Sequence, residues 1–557
     1  MLGRPPADAS PSLPLADPLY ALLDRFEARG WFGRPLSRIR PYSRLEAAAL
    51  LNHLLHQRDH ITHLRLGDQN ELSRSRTAFA LELSRLDPSH TDLPSSGRRR
   101  PLSGEPLYAY ADSTAALAIN AVLRQRVINI ATEDPSGGQT VSQTYVGAEV
   151  LGTLADRIGF RVRHYEAREW STLARASRDD VLARPLESVQ LKGQTVDFRA
   201  ADVELAATLP GLPWLRLDAG KTAHQWGPSL TGSPESLFLS SGAPSFGSAR
   251  IHARYGRLSY VHLIGFLRAR DGLIDSSRTR IENGHLRTFL RPKRFAAHRL
   301  EIQLGRLLLG LQESVVYADR GTEFLYALPA TVLTPVQSYL DDTDNLMIGM
   351  DITAVLKKGV RLHAGAVLDD LKKFSPGAFS NKLGLQFGVS VVDPFGLQGA
   401  DVNAEFVHLE PYLYSHNFHI NTYEHFGELL GHSLGPNADA VHIDGGYRFT
   451  AAWRVTASLG REREGENPTS SGTGIRNVGG SAFQGRRPGD TPERNFLDGD
   501  VVTRLKTNAG LIWSPARDVV LEFSYQTTSH RNTLLSTGLR GDFRTHRWSV
   551  TLDYNYQ

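Results

Sequence analysis

The 557-residue chain contains no cysteine, which excludes a disulfide framework, a thiolate metal site and a cysteine nucleophile. It also lacks any run near the roughly 20 apolar residues that a membrane helix needs. Its mean hydropathy is −0.29, a value that taken alone looks soluble. A β-barrel hides its lipid face in every second residue, so hydropathy does not register it. No apolar h-region follows Met1-Leu2-Gly3-Arg4-Pro5-Pro6, so this opening is not a signal peptide. Strong charge bias is missing too. The formal net charge of +4 and the pI near 9.1 favour acidic polymers or phosphate-bearing lipid heads, or are ordinary surface charge.

What the chain does have is an alternation that starts near Leu107 and runs to its end. In Trp548 to Tyr556, one face carries Trp548, Val550, Leu552, Tyr554 and Tyr556. The other carries Ser549, Thr551, Asp553 and Asn555. Successive side chains of a strand point to opposite faces, so the segment has one apolar face and one polar face. The same division recurs in Leu346 to Leu356, Val360 to Asp369, Trp453 to Leu459 and Val519 to Gln526. Alternation alone also suits a soluble sandwich, which buries one face and wets the other.

The connectors separate the two. Strands are expected over 107–132, 140–151, 154–168, 194–209, 213–223, 249–254, 257–270, 294–304, 306–318, 344–356, 359–369, 381–393, 398–415, 438–450, 452–463, 497–513, 517–529 and 542–556. Tight links such as Arg254-Tyr255-Gly256-Arg257, Leu304-Gly305-Arg306 and Lys357-Lys358-Gly359 alternate with long ones over 168–194, 223–249, 270–294, 318–344, 415–438 and 463–497. Short turns at one end, long loops at the other and an even count are the pattern of an outer-membrane barrel. The expected fold is therefore an all-β transmembrane barrel of about 18 antiparallel strands with a small N-terminal helical bundle. Such a protein is exported, so the sequence reads as a mature form.

The helical bundle is read from residues 1–100. Asp17-Pro18 starts a helix as N-cap and first-turn proline, with Leu19, Leu22, Leu23 and Phe26 at helical spacing and Gly30 as its stop. Ser43 caps a second helix, with Glu46 completing a capping box and Leu50, Leu51, Leu54 and Leu55 as its stripe. A third helical stretch lies between about 67 and 86. The unit is too short for a robust core of its own and is expected to dock on the barrel, on the periplasmic side. Pro94 to Pro101, with Arg98, Arg99 and Arg100, reads as a linker that either touches anionic lipid heads or is solvated. Residues 101–557 form the barrel with long extracellular loops, of which the Gly-, Ser- and Arg-rich stretch 466–496 is one.

Several motifs carry two readings. Gly431-His432-Ser433-Leu434-Gly435 matches the nucleophile elbow G-x-S-x-G, but that motif needs a strand before it and a helix after it. It lies in a long loop, so no catalytic residue is assigned and the chain is not read as an enzyme. His416, His419, His425 and His432 share that loop with Glu424 and Glu428. No H-E-x-x-H pair is present, so a hydrogen-bonding loop is preferred to a metal site, and no metal or cofactor is expected. Trp226, in Lys221 to Pro228, either stacks on a sugar ring or is buried in a folded-in plug. Arg268, Arg270, Arg278, Arg280, Arg287, Arg291, Lys293 and Arg294 crowd one region. They suit a uronate- or phosphate-bearing polymer, the phosphates of lipopolysaccharide, or a solvated loop.

Three stretches together resemble the capsule assembly protein Wzi family: Leu19 to Leu55 with Arg40-Pro41-Tyr42-Ser43-Arg44, Gln225 to Phe246, and Ala297 to Tyr317. The later Tyr412 to His432 region is similar to it too. The resemblance runs in order over most of the chain. It implies an even-stranded outer-membrane barrel that acts as a lectin, holding capsular or other exopolysaccharide at the cell surface. It also implies helices facing the periplasm, with export machinery as a possible partner; no nucleic-acid partner is expected. The family transfers no site residues. The residues themselves put Trp226, Arg287, Arg291, Tyr414 and His425 forward for carbohydrate binding. The rival readings are a pore for small solutes, in which loops such as 223–249 and 318–344 fold in to close the lumen, and a hydrolase using Ser433.

Overall fold

The computed structural model describes residues 9–58, 64–87, 97–98, 106–112, 114–134, 137–172, 188–192, 194–282, 285–369, 382–470, 474–490 and 494–555. Within them, 18 antiparallel strands close into one barrel. They are β1 (Ala115–Thr132), β2 (Gln139–Leu154), β3 (Ile158–Ser171), β4 (Thr195–Leu209), β5 (Leu212–Thr222), β6 (Phe246–Tyr255), β7 (Leu258–Arg268), β8 (Pro292–Leu304) and β9 (Leu307–Ala318). There follow β10 (Asn345–Lys357), β11 (Val360–Asp369), β12 (Lys382–Val392), β13 (Ala400–Leu409), β14 (Ala438–Arg448), β15 (Trp453–Glu466), β16 (Asp500–Ala516), β17 (Val519–Leu534) and β18 (Arg540–Tyr554). Pairing of Tyr554 with Leu123 and of Thr545 with Thr132 joins β18 to β1, so the main sheet has no free edge.

Every expected strand is present, with two changes. The segment expected over 398–415 stops at Leu409, because residues 410–415 turn into the lumen. The first expected strand is two: Tyr108–Ala111 folds back to pair with the start of β1, Tyr108 opposite Ile119. Tyr556 and Gln557 lie outside the described residues, as does most of Pro94 to Pro101.

Alternation sorts the wall into faces. On β10, Met350 is 58% exposed on the outside, while Asp351 is 7% exposed on the inside. Val146, Leu311, Phe387, Leu459 and Phe523 continue the outer belt, and Trp453 stacks on Trp513 at 5.8 Å within it. Apolar surface facing water is unfavourable by roughly 25 cal/mol per Å², which is why this face is read as lipid-facing. Links at one end are short. Gly256 and Gly305 sit there at φ +61° and +60°, a left-handed conformation that a side chain would strain.

Four helices, α1 (Pro18–Ala28), α2 (Arg44–Arg58), α3 (Leu66–Ala78) and α4 (Ala80–Leu86), lie across that short-turn end. Both expected N-caps form. The Asp17 carboxylate accepts from the Leu19 N–H at 2.8 Å, and Ser43 Oγ accepts from the Glu46 N–H at 2.9 Å. Each cap doubles as a tie to the barrel. Asp17 also accepts from Arg517 in the β16–β17 turn at 2.7 and 2.8 Å, and the Glu46 carboxylate takes Arg254 of β6 at 2.6 Å. Further ties run from Arg29 to Asp393, from Arg74 to the Ser514 carbonyl, and from the Gly359 N–H to the Ala28 carbonyl. Leu19, Leu22, Leu23, Phe26, Leu51 and Leu54 join Leu72, Phe79 and Leu83 in one core beneath.

The 319–344 loop departs from expectation. It does not fold into the lumen but lies on the outer wall as α5 (Phe324–Ala327) and α6 (Leu333–Tyr339). Tyr326 and Leu333 pack on Ile264, Ala296, Val315 and Leu346, all on outward positions. The reason is visible beneath it. Glu313 points outward and cannot face lipid uncompensated. It accepts from the Leu333 and Thr334 N–H groups at 2.9 and 2.7 Å, with His298 at 3.1 Å on its other side.

Candidate functional site

Segments enter the lumen from both ends. At the short-turn end, Glu27 of α1 reaches inside and accepts from Arg38 at 2.7 and 2.8 Å, from Arg361 of β11 at 2.9 Å and from the Leu36 N–H at 2.6 Å. Next to it, Arg299 of β8 donates to Glu301 at 3.0 Å and to Asp351 at 2.9 Å. Charges this deeply buried persist only because each is paired and hydrogen-bonded.

From the long-loop end, residues 223–245 descend to meet this base. Gln225–Trp226 pairs as a short strand with Ile39–Arg40, Trp226 opposite Ile39. The Trp226 N–H donates to the Leu239 carbonyl at 2.9 Å, and its ring lies parallel to Phe238 at 6.5 Å. Gly227 permits the turn at φ +100°; a Cβ there would stand 2.7 Å from Ser236 Oγ. Residues 410–437 cover this segment. Tyr414 and Tyr423 stack at 5.7 Å and donate to the Leu237 and Phe238 carbonyls, each at 2.7 Å. Lys293 of β8 fixes the same cover, donating to the Thr422 carbonyl at 2.7 Å and to Glu424 Oε1 at 2.6 Å. Leu237, Phe238, Phe246, Phe295, Leu413 and Leu430 fill the space between.

Three of the five candidate binding residues belong to this plug. Trp226 is 0% exposed, so the buried reading holds and no ring face is open to a sugar. Tyr414 is 0% exposed, and burial pushes its hydroxyl above the usual tyrosine range, so it stays a donor. His425 is buried as well; its Nδ1 accepts from the Arg268 N–H at 3.0 Å. Burial, and then the charge of Lys293, bring its pKa down to about 3, so the ring is neutral. Sequence pattern signals these aromatics as unusual but does not separate a stacking platform from a plug core, since both want flat apolar rings.

The other two, Arg287 and Arg291, lie on the long-loop rim. A small hairpin, Arg280–Glu282 with His285–Arg287, carries Arg287, which pairs with Glu282 at 2.7 Å and lies over Phe289. Arg291 pairs with Asp319 and lines an open cleft of about 610 Å³. Ile274, Asp275, Ser276 and Arg320 line it too. Sequence reasoning found the basic loop but missed Asp319 and Arg320, which come from the next long loop and join it only in three dimensions. The rim thus offers cations already held by carboxylates, hydroxyls and a nearby aromatic ring.

The elbow match lacks its geometry. Ser433 sits in a run of turns, and its hydroxyl donates to Glu235 at 2.8 Å. Among the described residues, no group of three His, Asp or Glu side chains is placed to hold a metal ion.

No protein-family model matches the chain, and no curated protein matches it in sequence. In structure it is similar to Wzi of Escherichia coli, an outer membrane protein involved in group 1 capsule assembly and a carbohydrate-binding β-barrel. The TM-score is 0.53 at 13% identity, over 97% of this chain and 99% of that one. It is more loosely similar to OccK9 (OpdG) of Pseudomonas aeruginosa, with a TM-score of 0.45 at 10% identity over 79% of this chain and 98% of that one. At these identities the first likeness speaks to the fold, and the second is too loose to carry an argument.

Proposed function

We propose that this barrel resides in the outer membrane and holds capsular or other surface polysaccharide through its long-loop rim, without transforming it. The observation that carries the reading is the set of segments that enter the lumen from both ends. With 223–245 and 410–437 seated in the lumen above and Glu27 and its partners below, a large ligand meets the rim first. The likeness to a carbohydrate-binding barrel supports the same reading.

On this reading the helical unit faces the periplasm, where export machinery would meet it, and the rim faces the polymer. Arg287 and Arg291 exchange their Glu282 and Asp319 partners for uronate or phosphate groups of the polymer. Trp226, Tyr414 and His425 act at one remove, by fixing the loops that carry the rim.

The test is the partition of surface polysaccharide between cells and medium in a deletion strain. Polymer still made but shed into the medium is expected. Polymer still cell-bound, with altered uptake of small solutes, would replace this reading with a pore.

A further inference from the structure

Most arginines around the long-loop rim are neutralised. Arg280 and Arg287 share Glu282, Arg291 has Asp319, and Arg320 has Asp344. Arg270 has no carboxylate but donates to the Phe483 carbonyl at 3.1 Å and lies over that ring. Arg268, Arg278 and Arg294 have no carboxylate within 4.0 Å among the described residues, and Arg278 and Arg294 both repel Arg268.

Their placement is specific. β7 and β8 pair with Phe266 opposite Arg294. Their neighbours Leu267 and Lys293 are buried inward, so Phe266, Arg268 and Arg294 point outward. The Arg294 guanidinium lies over the Phe266 ring at 5.2 Å, and that ring is 45% exposed on the outer wall. Arg278, in the 269–291 loop, lies over Phe289 at 4.9 Å and near enough to Arg268 to repel it. Three like charges gathered at the top of an apolar wall repel one another unless an anion sits among them. Arginine forks match phosphate oxygens, and the ring below suits an acyl chain.

We propose that Arg268, Arg278 and Arg294 bind the phosphate of an outer-leaflet lipid headgroup, with the acyl chain running down over Phe266. The wall position favours a lipid over a soluble polymer, because Phe266 continues the lipid-facing belt. This site adjoins the polymer rim at Phe289, which Arg278 and Arg287 share, but it uses neither Arg287 nor Arg291, and its failure would leave the polymer reading intact.

The experiment uses the full chain in phospholipid nanodiscs doped with diphosphorylated lipid A or with dephosphorylated lipid A. Wild type is expected to retain the phosphorylated lipid, and R268Q/R278Q/R294Q to retain about tenfold less or lower still. Dephosphorylated lipid A should not distinguish the two. The triple lysine variant keeps the charge and should recover part of the retention, which separates lost binding from misfolding. Equal retention by wild type and the glutamine variant would overturn the proposal. So would an equal thermal shift of wild type by inorganic phosphate alone, which would make this a free-anion site. A loss of soluble polyuronate binding with lipid retention unchanged would assign the surface to polymer instead.

Discussion

Replacing Glu27 by Ala tests whether the helical unit is held by buried charge. Glu27 is 0% exposed, and its partners Arg38 and Arg361 are 4% and 1% exposed. Removing one member of such a set leaves buried guanidinium groups uncompensated, at a cost of about 3–5 kcal/mol. Asp24 stands 3.6 Å from Arg38 and 3.5 Å from Arg361 and offsets part of that cost. The low end, about 3 kcal/mol, therefore applies, and at 1.4 kcal/mol per decade it raises undocking roughly a hundredfold. Glu27→Gln keeps an acceptor for the Leu36 N–H and should fall between. Pulsed trypsin reads the undocked population when opening is fast relative to cleavage. Cleavage within residues 18–86 should rise by about two decades while the barrel strands stay uncleaved. A rise below threefold would refute the argument and place the docking energy in the apolar core instead.

Acid should loosen the plug. His224 and His425 both stand near pKa 3 when folded, through burial first and then through Arg250 and Lys293 respectively. An undocked loop takes up protons below its ordinary pKa of about 6.5 while the docked one does not. Docking therefore weakens as pH falls from 6.5 towards 3, by roughly 1.4 kcal/mol per pH unit for each ring. Hydrogen exchange over 223–245 and 410–437, corrected for intrinsic rates, should accelerate on going from pH 7 to 5; a flat profile would contradict the sign. Tyr414→Phe strands the Leu237 carbonyl and the His432 N–H, and should destabilise the cover by about 1–3 kcal/mol in the same exchange measurement. Trp226→Ala removes a fully buried ring, at a cost of about 3–5 kcal/mol. Single-channel recordings should then show openings absent from wild type, and an unchanged trace would mean that another segment seals the lumen.

The strand order, the two kinds of connector and both helix N-caps were legible because each rests on local rules: period two in strands, capping chemistry in helices. Asp17 and Ser43 act as read, yet nothing local announced that Asp17 also ties Arg517, nearly the whole chain away. Loop placement was the least legible part. Residues 223–245 fold in and 319–344 fold out, though both are long. The difference lies in what each loop covers: a lumen-facing apolar set for the first, the outward Glu313 and His298 for the second. Trp226, Tyr414 and His425 read in sequence as ligand contacts because aromatic and imidazole groups serve sugar binding and core packing alike. Only burial separates those roles. Arg287 and Arg291 remain on the rim, but their carboxylate partners come from positions that sequence proximity signals for Glu282 and not for Asp319.

The ties between the helical unit and the turns have a consequence for how the molecule assembles. Asp17 waits for Arg517, Arg74 for Ser514, and Arg29 for Asp393. Contacts so distant along the chain form only after loop closure, which makes them late and slow. The helical unit, which precedes the strands along the chain, is therefore the last to find its place. Until the wall has closed, Asp24 and Glu27 lack Arg361, and Asp17 lacks Arg517. The docked helices thus certify a completed cylinder: a chain stalled partway round offers them only a fraction of their anchors and leaves them accessible to proteases and chaperones.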